Sequence, residues 1–452
     1  MIALITVGIL LRLTAPAQQQ NILGFKLYFE EAYWRYPNLP KGVLEAAAYA
    51  ASRLTNLQPQ AAEADNCTGM PLRYGVYALV ENGQGYFKNN LLTVCSISNI
   101  TPEQYKNDVR LQILAVAKFC SREASMRRMD VRISAEDFSV VLDKLCEIPD
   151  DSSAVNTYAR ALYKYAIYDQ MQKGFTTPAY KQRPMVVEMD EIFPIPLLKK
   201  LQAPEVEVNY DKDTVLYNTT PVYAVNRIVS INAITAVNNN PNSNSINNAL
   251  YEVKNGEYKP ALYIPASTNN YQSGRGGAAI THIAIHTTQG SYAAAISWFK
   301  NPGAAVSAHY IVRASDGQIT QMVREEDMAY HAHSANAYTI GITHEGYTRE
   351  GDKWYSDKMY RSSAALVRDI CNRRSISDSA CFRGMATAGV NYLADNIHIK
   401  GHQHYSASLQ TDPGKYWNWT KYADLLMNKL PPELIKNNKR AVKKGVTTVS
   451  RK

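Results

Sequence analysis

Three side chains in the C-terminal third of the chain have the types and spacing to do chemistry. His286 lies in the peptide Ile285-His286-Thr287-Thr288-Gln289-Gly290. His402 ends Ile399-Lys400-Gly401-His402, and Asp412-Pro413-Gly414 follows ten residues later. Two imidazoles and one carboxylate are the ligand set of a zinc site that keeps a fourth position for water. Such a site splits a stable bond, most naturally an amide, because the ion polarises a carbonyl and activates water together. Each of the three residues, taken singly, reads as structural or surface.

The elements that must position them are legible in the hydropathy pattern. His282-Ile283-Ala284-Ile285-His286 alternates faces as a strand does, which puts His286 at a strand end, facing a cleft. A short helix is expected over 293–299. A second strand runs over 308–312 and turns at Asp316-Gly317 into 318–323. A third covers 338–345, and a helix covers 360–371. Residues 278–430 thus form an α/β unit.

Upstream, residues 22–175 read as mainly helical. Apolar positions recur at helical spacing over 25–36 and 42–54, with further helices at 103–124, 135–146 and 155–172. Residues 176–277 are a connecting region. It carries short strands at 186–189 and 206–208, a polar linker at Asn238-Asn239-Asn240-Pro241-Asn242-Ser243-Asn244-Ser245, and a hinge at Ser273-Gly274-Arg275-Gly276-Gly277.

A length of 452 residues suits two or three domains. The net charge of +9 is mainly a tail: Lys436, Lys439, Arg440, Lys443, Lys444, Arg451 and Lys452 crowd into 431–452. The body is near neutral, so no nucleic-acid partner is expected. Residues 1–17 are an apolar run ending in Ala15-Pro16-Ala17, which reads as a secretory signal and places the chain in the periplasm or outside the cell. No other run approaches the length of a membrane span. The six cysteines are an even number, as an exported chain prefers. Cys371 and Cys381 could bridge, as could pairs among Cys67, Cys95, Cys120 and Cys146; buried free thiols are the other reading. No Cys-x-x-Cys pair is present for a thiolate zinc site.

Beyond the three chemical residues, the segments IHTTQG (285–290), VSAHYIVRASDGQITQMV (306–323), AYHAHS (329–334), TIGITHEG (339–346), IKGHQHY (399–405) and TDPGKYWNW (411–419) occur in order over about 150 residues. They resemble the type-2 zinc amidases, the N-acetylmuramoyl-L-alanine amidase family that includes phage amidases and peptidoglycan recognition proteins. The resemblance implies a mixed central sheet flanked by helices, zinc held by His286, His402 and Asp412, and peptidoglycan as substrate. The bond cleaved would join the lactyl group of N-acetylmuramic acid to L-alanine. His309, on the second strand, lines the groove or is a hydrogen-bonded structural histidine, and Tyr330 and His331 are candidates to contact sugar or peptide. His282, His333, His344 and His404 are bystanders.

Two positions depart from the family pattern. Thr343 stands where active relatives carry a glutamate that handles the water proton, and a threonine hydroxyl is no base near neutral pH. Glu345 faces the same side of the strand two residues on, about 6–7 Å along it, and is the candidate substitute. Gln410 stands where many relatives place a cation for the oxyanion, and offers only a neutral hydrogen bond. The expectation is therefore an exported zinc amidase acting on peptidoglycan. The alternative is a peptidoglycan-binding protein with a slow or inactive site.

In the helical region, residues 39–53 followed by Tyr74-Gly75-Val76-Tyr77-Ala78-Leu79 resemble lysozyme-like lytic transglycosylases. Ala51 stands at the position of the acid that glycosidic cleavage requires. The resemblance implies a lysozyme-like fold without catalysis; an unrelated helical bundle is the other reading.

Overall fold

The computed structural model describes residues 17–59, 68–129, 131, 133–202, 206–209, 214–217, 220–221, 256–405 and 410–427. Residues 1–16, the Asn-rich linker and the basic tail lie outside them, as does Cys67.

The N-terminal part is helical. Its main helices are Ala17–Arg35, Val43–Ser52, Asn90–Ser98, Pro102–Asn107, Val109–Ser125, Ser139–Leu145 and Ala154–Lys173. The single helix expected over 103–124 is two. Asp108 takes extended dihedrals, ends the first, and caps the second by accepting from the Leu111 N–H at 3.0 Å. An aspartate competes with the helical backbone in this way wherever its side chain can reach a free N–H. Residues 186–189 are not a strand; a one-turn helix, Met189–Ile192, begins there. The strands at Val206–Asn209, Thr214–Tyr217 and Thr220–Pro221 form a small antiparallel sheet.

The C-terminal part is built on a six-stranded mixed sheet. Its strand order is Ile399–Gly401, His282–Thr287, Thr339–His344, Tyr310–Val312, Ile319–Gln321 and Leu262–Tyr263. The first four strands are mutually parallel, and Tyr310–Val312 pairs antiparallel with Ile319–Gln321. The register sets His286 beside Thr343 and Ile285 beside Gly401. Alternation then sorts the side chains. Ile283, Ile285, Ile340, Ile342, Tyr310 and Ile399 share a core with Leu366 and Ile370 of the helix Asp357–Arg374 and with Trp419 and Tyr422 of the helix Trp419–Leu426. His286, Thr343, Gly341 and Lys400 fall on the other face.

The two parts share one apolar core rather than touching at a loose seam. The helix Tyr292–Lys300 follows the His286 loop and contributes Tyr292, Ile296, Trp298 and Phe299 to a cluster with Leu162, Phe87 and Met70 of the helical part. Polar ties reinforce the join. Trp298 Nε1 donates to the Thr68 carbonyl at 2.7 Å, and Thr68 Oγ1 donates to the Thr288 carbonyl at 3.0 Å. Ser297 Oγ donates to Asn156 at 2.7 Å, and the Arg53 guanidinium lies 4.0 Å over the Trp354 ring.

Cys95, Cys120, Cys146, Cys371 and Cys381 are all buried free thiols. Of the two readings left open for Cys371 and Cys381, the structure has buried free thiols, and both sit in the apolar core beneath the sheet. No helix among the described residues is long and apolar enough to cross a membrane.

Candidate metal centre

His286 ends its strand, His402 starts the turn after its neighbouring strand, and Asp412 arrives on a loop that crosses the ends of both. Adjacent parallel strands bring the two histidines together from more than a hundred residues apart. The Asp412 loop is tied to the sheet. Its carboxylate accepts from the Thr287 N–H at 3.2 Å, its carbonyl accepts from the Gln403 N–H at 3.0 Å, and the Gly414 N–H donates to Gln403 Oε1 at 2.9 Å. Gly401 lets the loop come this close, because a Cβ there would lie 2.5 Å from Pro413 Cδ.

All three side chains are buried, at 1%, 1% and 2% exposure. His286 Nδ1 lies 3.2 Å from Asp412 Oδ2, and His402 Nδ1 lies 3.2 Å from Asp412 Oδ1. One donor atom from each residue falls within 4.8 Å of the other two. A tetrahedral zinc ion about 2.0–2.1 Å from its ligands separates those ligands by about 3.3 Å, so the spacing suits that ion.

The hydrogen bonds around His286 carry the same message. His286 Nε2 lies 3.0 Å from His331 Nδ1, and His331 Nε2 lies 3.2 Å from Thr339 Oγ1, whose hydroxyl donates to the Ala335 carbonyl at 2.6 Å. Read back from that carbonyl, Thr339 must accept from His331, and His331 must accept from His286. This assigns the proton of His286 to Nε2 and leaves the Nδ1 lone pair aimed at Asp412. A lone pair against a carboxylate repels unless a cation sits between them, so the donor set fits a divalent metal. Gly341 makes room for the relay: a Cβ there would lie 2.6 Å from the His331 ring.

The electrostatics agree. Burial alone would raise the Asp412 carboxyl, but positive charge on the His402 and His286 side holds it below the usual carboxylate range, the charge that a bound cation would supply between neutral rings. Burial, and then His402, lowers the pKa of His286, which keeps it neutral as a ligand must be. His331 is held well below the ordinary imidazole value by burial and by the neighbouring histidines.

The family model described as N-acetylmuramoyl-L-alanine amidase matches residues 276–415, which contain all three side chains. N-acetylmuramoyl-L-alanine amidase A of Achromobacter lyticus is 42% identical over 171 residues, spanning 38% of this chain and 95% of that relative. The chain belongs to the N-acetylmuramoyl-L-alanine amidase family. The 1,6-anhydro-N-acetylmuramyl-L-alanine amidase AmpD of Salmonella typhimurium is 29% identical over 129 residues, covering 27% of this chain and 57% of that relative. The solved catalytic domain of XlyA aligns at 19% identity over 36% of this chain and 95% of its own length; its TM-score of 0.26 is too low to bear on the fold.

Within this amidase several side chains lie elsewhere than the sequence led one to expect. Glu345 is buried, with Oε1 accepting from the Tyr292 N–H at 2.9 Å and Oε2 from the Ala314 N–H at 2.8 Å. Each oxygen accepts one backbone N–H, so Glu345 staples two loops to the strand end. His309 does not line a groove. It is 0% exposed, with Nδ1 accepting from the Gly341 N–H at 3.0 Å and Nε2 2.7 Å from Arg275. Burial and Arg275 push its pKa down to about 3. His331 supports His286 rather than meeting substrate. Tyr330 is half-buried beside Ser307, and Gln410 is half-buried. Thr343 is 1% exposed, beside His286 on the same face, and its hydroxyl has no partner among the described residues.

His344 lies on the opposite face, 3.0 Å from the His286 carbonyl and 2.8 Å from Ser363 Oγ. His404 Nδ1 accepts from the Gly401 N–H at 3.0 Å and braces its turn. Sequence reasoning passed over His333, which is exposed with its ring centroid 6.4 Å from that of His402. Its signal was the spacing of two residues from the orienting His331.

Proposed function

We propose that this chain hydrolyses the amide between N-acetylmuramic acid and L-alanine in peptidoglycan, with zinc held by His286, His402 and Asp412. The observation that carries the reading is the convergence of these three donors within 4.8 Å of one another inside the family-matched segment. A bound zinc ion would supply a Lewis acid for the carbonyl and a lowered pKa for the attacking water.

The chain's own residues divide the remaining work. Asp412 brings one negative charge and two neutral imidazoles share the centre, so a bound dication keeps a net charge of about +1 for the developing oxyanion. His331 fixes the tautomer and the angle of the His286 ring through the bond at 3.0 Å. Thr343 offers a buried hydroxyl beside His286 that can orient a water by hydrogen bonding, though not deprotonate it.

The helical part serves as scaffold in this reading. Ala51 lines a cavity of about 60 Å³ together with Glu147, Glu345 and with Tyr292, Ala293 and Ala294 of the Tyr292–Lys300 helix. Ala51 itself offers no acid, and Glu147 in the same lining is tied to Arg73 at 3.0 Å and to the Val80 N–H at 2.7 Å, which supports a helical part without glycosidase chemistry. Export to the wall compartment completes the proposal.

Mass spectrometry of purified sacculi digested with the protein is the test. Release of stem peptides with a free L-alanine amino terminus, and glycan strands left uncut, is the expected result. Binding to sacculi without release would overturn the hydrolase reading.

A further inference from the structure

His333 stands beside the candidate centre without a structural role of its own. It opens the turn His333–Tyr338 with its side chain exposed, whereas His286, His331 and His402 are buried. Its ring is 6.4 Å from the His402 ring, centroid to centroid, and the two planes are tilted by 32°. Among the described residues no hydrogen bond ties its ring nitrogens.

The backbone at His333 is left-handed, with φ of 51°, a conformation disfavoured for any residue that carries a Cβ. The turn is nonetheless held firmly. Asn336 Oδ1 accepts from the N–H groups of His331 at 3.0 Å and Ala332 at 2.6 Å. A glycine would satisfy this turn without strain. Strain retained at an exposed side chain next to a reactive centre points to function rather than to packing.

Three polar side chains near the centre are already engaged, and the Thr343 hydroxyl, unpartnered among the described residues, is buried beside His286 rather than exposed. His331 orients His286, His309 is bound to Gly341 and Arg275, and both oxygens of Glu345 take backbone N–H groups. His333 has an imidazole N–H left for a ligand on the open side. We propose that His333 donates this N–H to the carbonyl oxygen of the scissile amide as negative charge builds on it. The role rests on the amide-hydrolysis reading, and it makes His333 a catalytic residue, since it touches the reacting group.

The test is steady-state kinetics of His333→Gly on a defined muropeptide. Glycine removes the imidazole and relieves the left-handed strain, so the variant should fold and melt at or above the wild-type temperature. Loss of one preorganised oxyanion donor lowers kcat by about 10²–10³-fold, with KM little changed because the bond strengthens only in the transition state. Free imidazole should restore part of the rate, and His333→Gln, which keeps an N–H donor, should lose less. Zinc content, measured by metal analysis, should stay at the wild-type level. An unchanged kcat in His333→Gly overturns the proposal, and so does a loss of rate that tracks a loss of zinc. Failure of the wild type to cleave any muropeptide would instead sink the amidase reading and this role with it.

Discussion

Replacing Gly341 by alanine perturbs the centre without touching a ligand. The added Cβ would lie 2.6, 2.7 and 2.9 Å from Cγ, Nδ1 and Cδ2 of His331. Carbon contacts settle near about 3.5 Å, so the ring must retreat by about 0.6–0.9 Å. The bond from His286 Nε2 to His331 Nδ1 is 3.0 Å long, and a retreat of that size carries it past about 3.5 Å, where a hydrogen bond no longer holds. The strand itself can accept the alanine, because Gly341 lies in the regular register of Thr339–His344. Loss of such an outer partner weakens metal affinity by about 10–100-fold, equivalent to about 1.4–2.8 kcal/mol. The overpacking should also cost about 1–3 kcal/mol of stability. Competitive zinc titration against a chromophoric chelator, on folded protein, measures the first quantity, and chemical unfolding of the metal-free protein measures the second. A variant that is destabilised yet binds zinc as tightly as the wild type would refute the orienting role of His331.

Glu345→Gln should lower stability by about 1–3 kcal/mol, since an amide cannot accept both backbone N–H bonds, while kcat per folded molecule holds. The reverse pattern in unfolding and kinetic measurements would restore Glu345 as a base. Thr343→Val removes only the unpartnered hydroxyl, so the melting temperature should hold while kcat falls by about tenfold; equal kcat would leave Thr343 as packing. Glu325 is buried, which would raise its pKa, but hydrogen bonds and charge from Arg373, with Tyr310 and Arg374, hold it down to about 2. A carboxylate lowered on folding stabilises the protein above its unfolded value near 4.5, and that contribution is lost as pH falls toward 2. Between pH 6 and pH 3 it amounts to about 2 kcal/mol. Urea unfolding should therefore show the wild type losing that much more stability than Glu325→Gln over the same interval; equal losses would contradict the assignment.

The three candidate ligands stood out through the family resemblance of the motifs around them, and the structure brings their donor atoms within 4.8 Å of one another. His282 to His286 alternates cleanly, and the strand carrying Thr343 does the same, so these strands follow from hydropathy, while their register and the strand Ile399–Gly401 do not. The helper groups were not legible. Glu345 shares a face with Thr343 by periodicity, yet it lies just past the strand end, where the backbone turns and leaves the N–H groups of Tyr292 and Ala314 to be satisfied. The place of His309 on its strand left open whether it lines a groove or is structural, and its contact with Arg275, 34 residues away in sequence, goes with the buried, structural alternative. The split at Asp108 and the helix at 189–192 turn on local capping, which periodicity does not register. The shared core of the two parts rests on contacts such as Trp298 with Thr68, 230 residues apart, and no local pattern announces them.

The most direct measurement is hydrolysis of a defined muropeptide by metal-free protein, before and after adding back one equivalent of zinc. The metal-free chain should release no stem peptide, zinc should restore release, and His402→Ala should neither bind the equivalent nor regain activity. Cleavage that persists in the metal-free protein, or zinc bound at full strength by His402→Ala, would contradict a centre built from His286, His402 and Asp412.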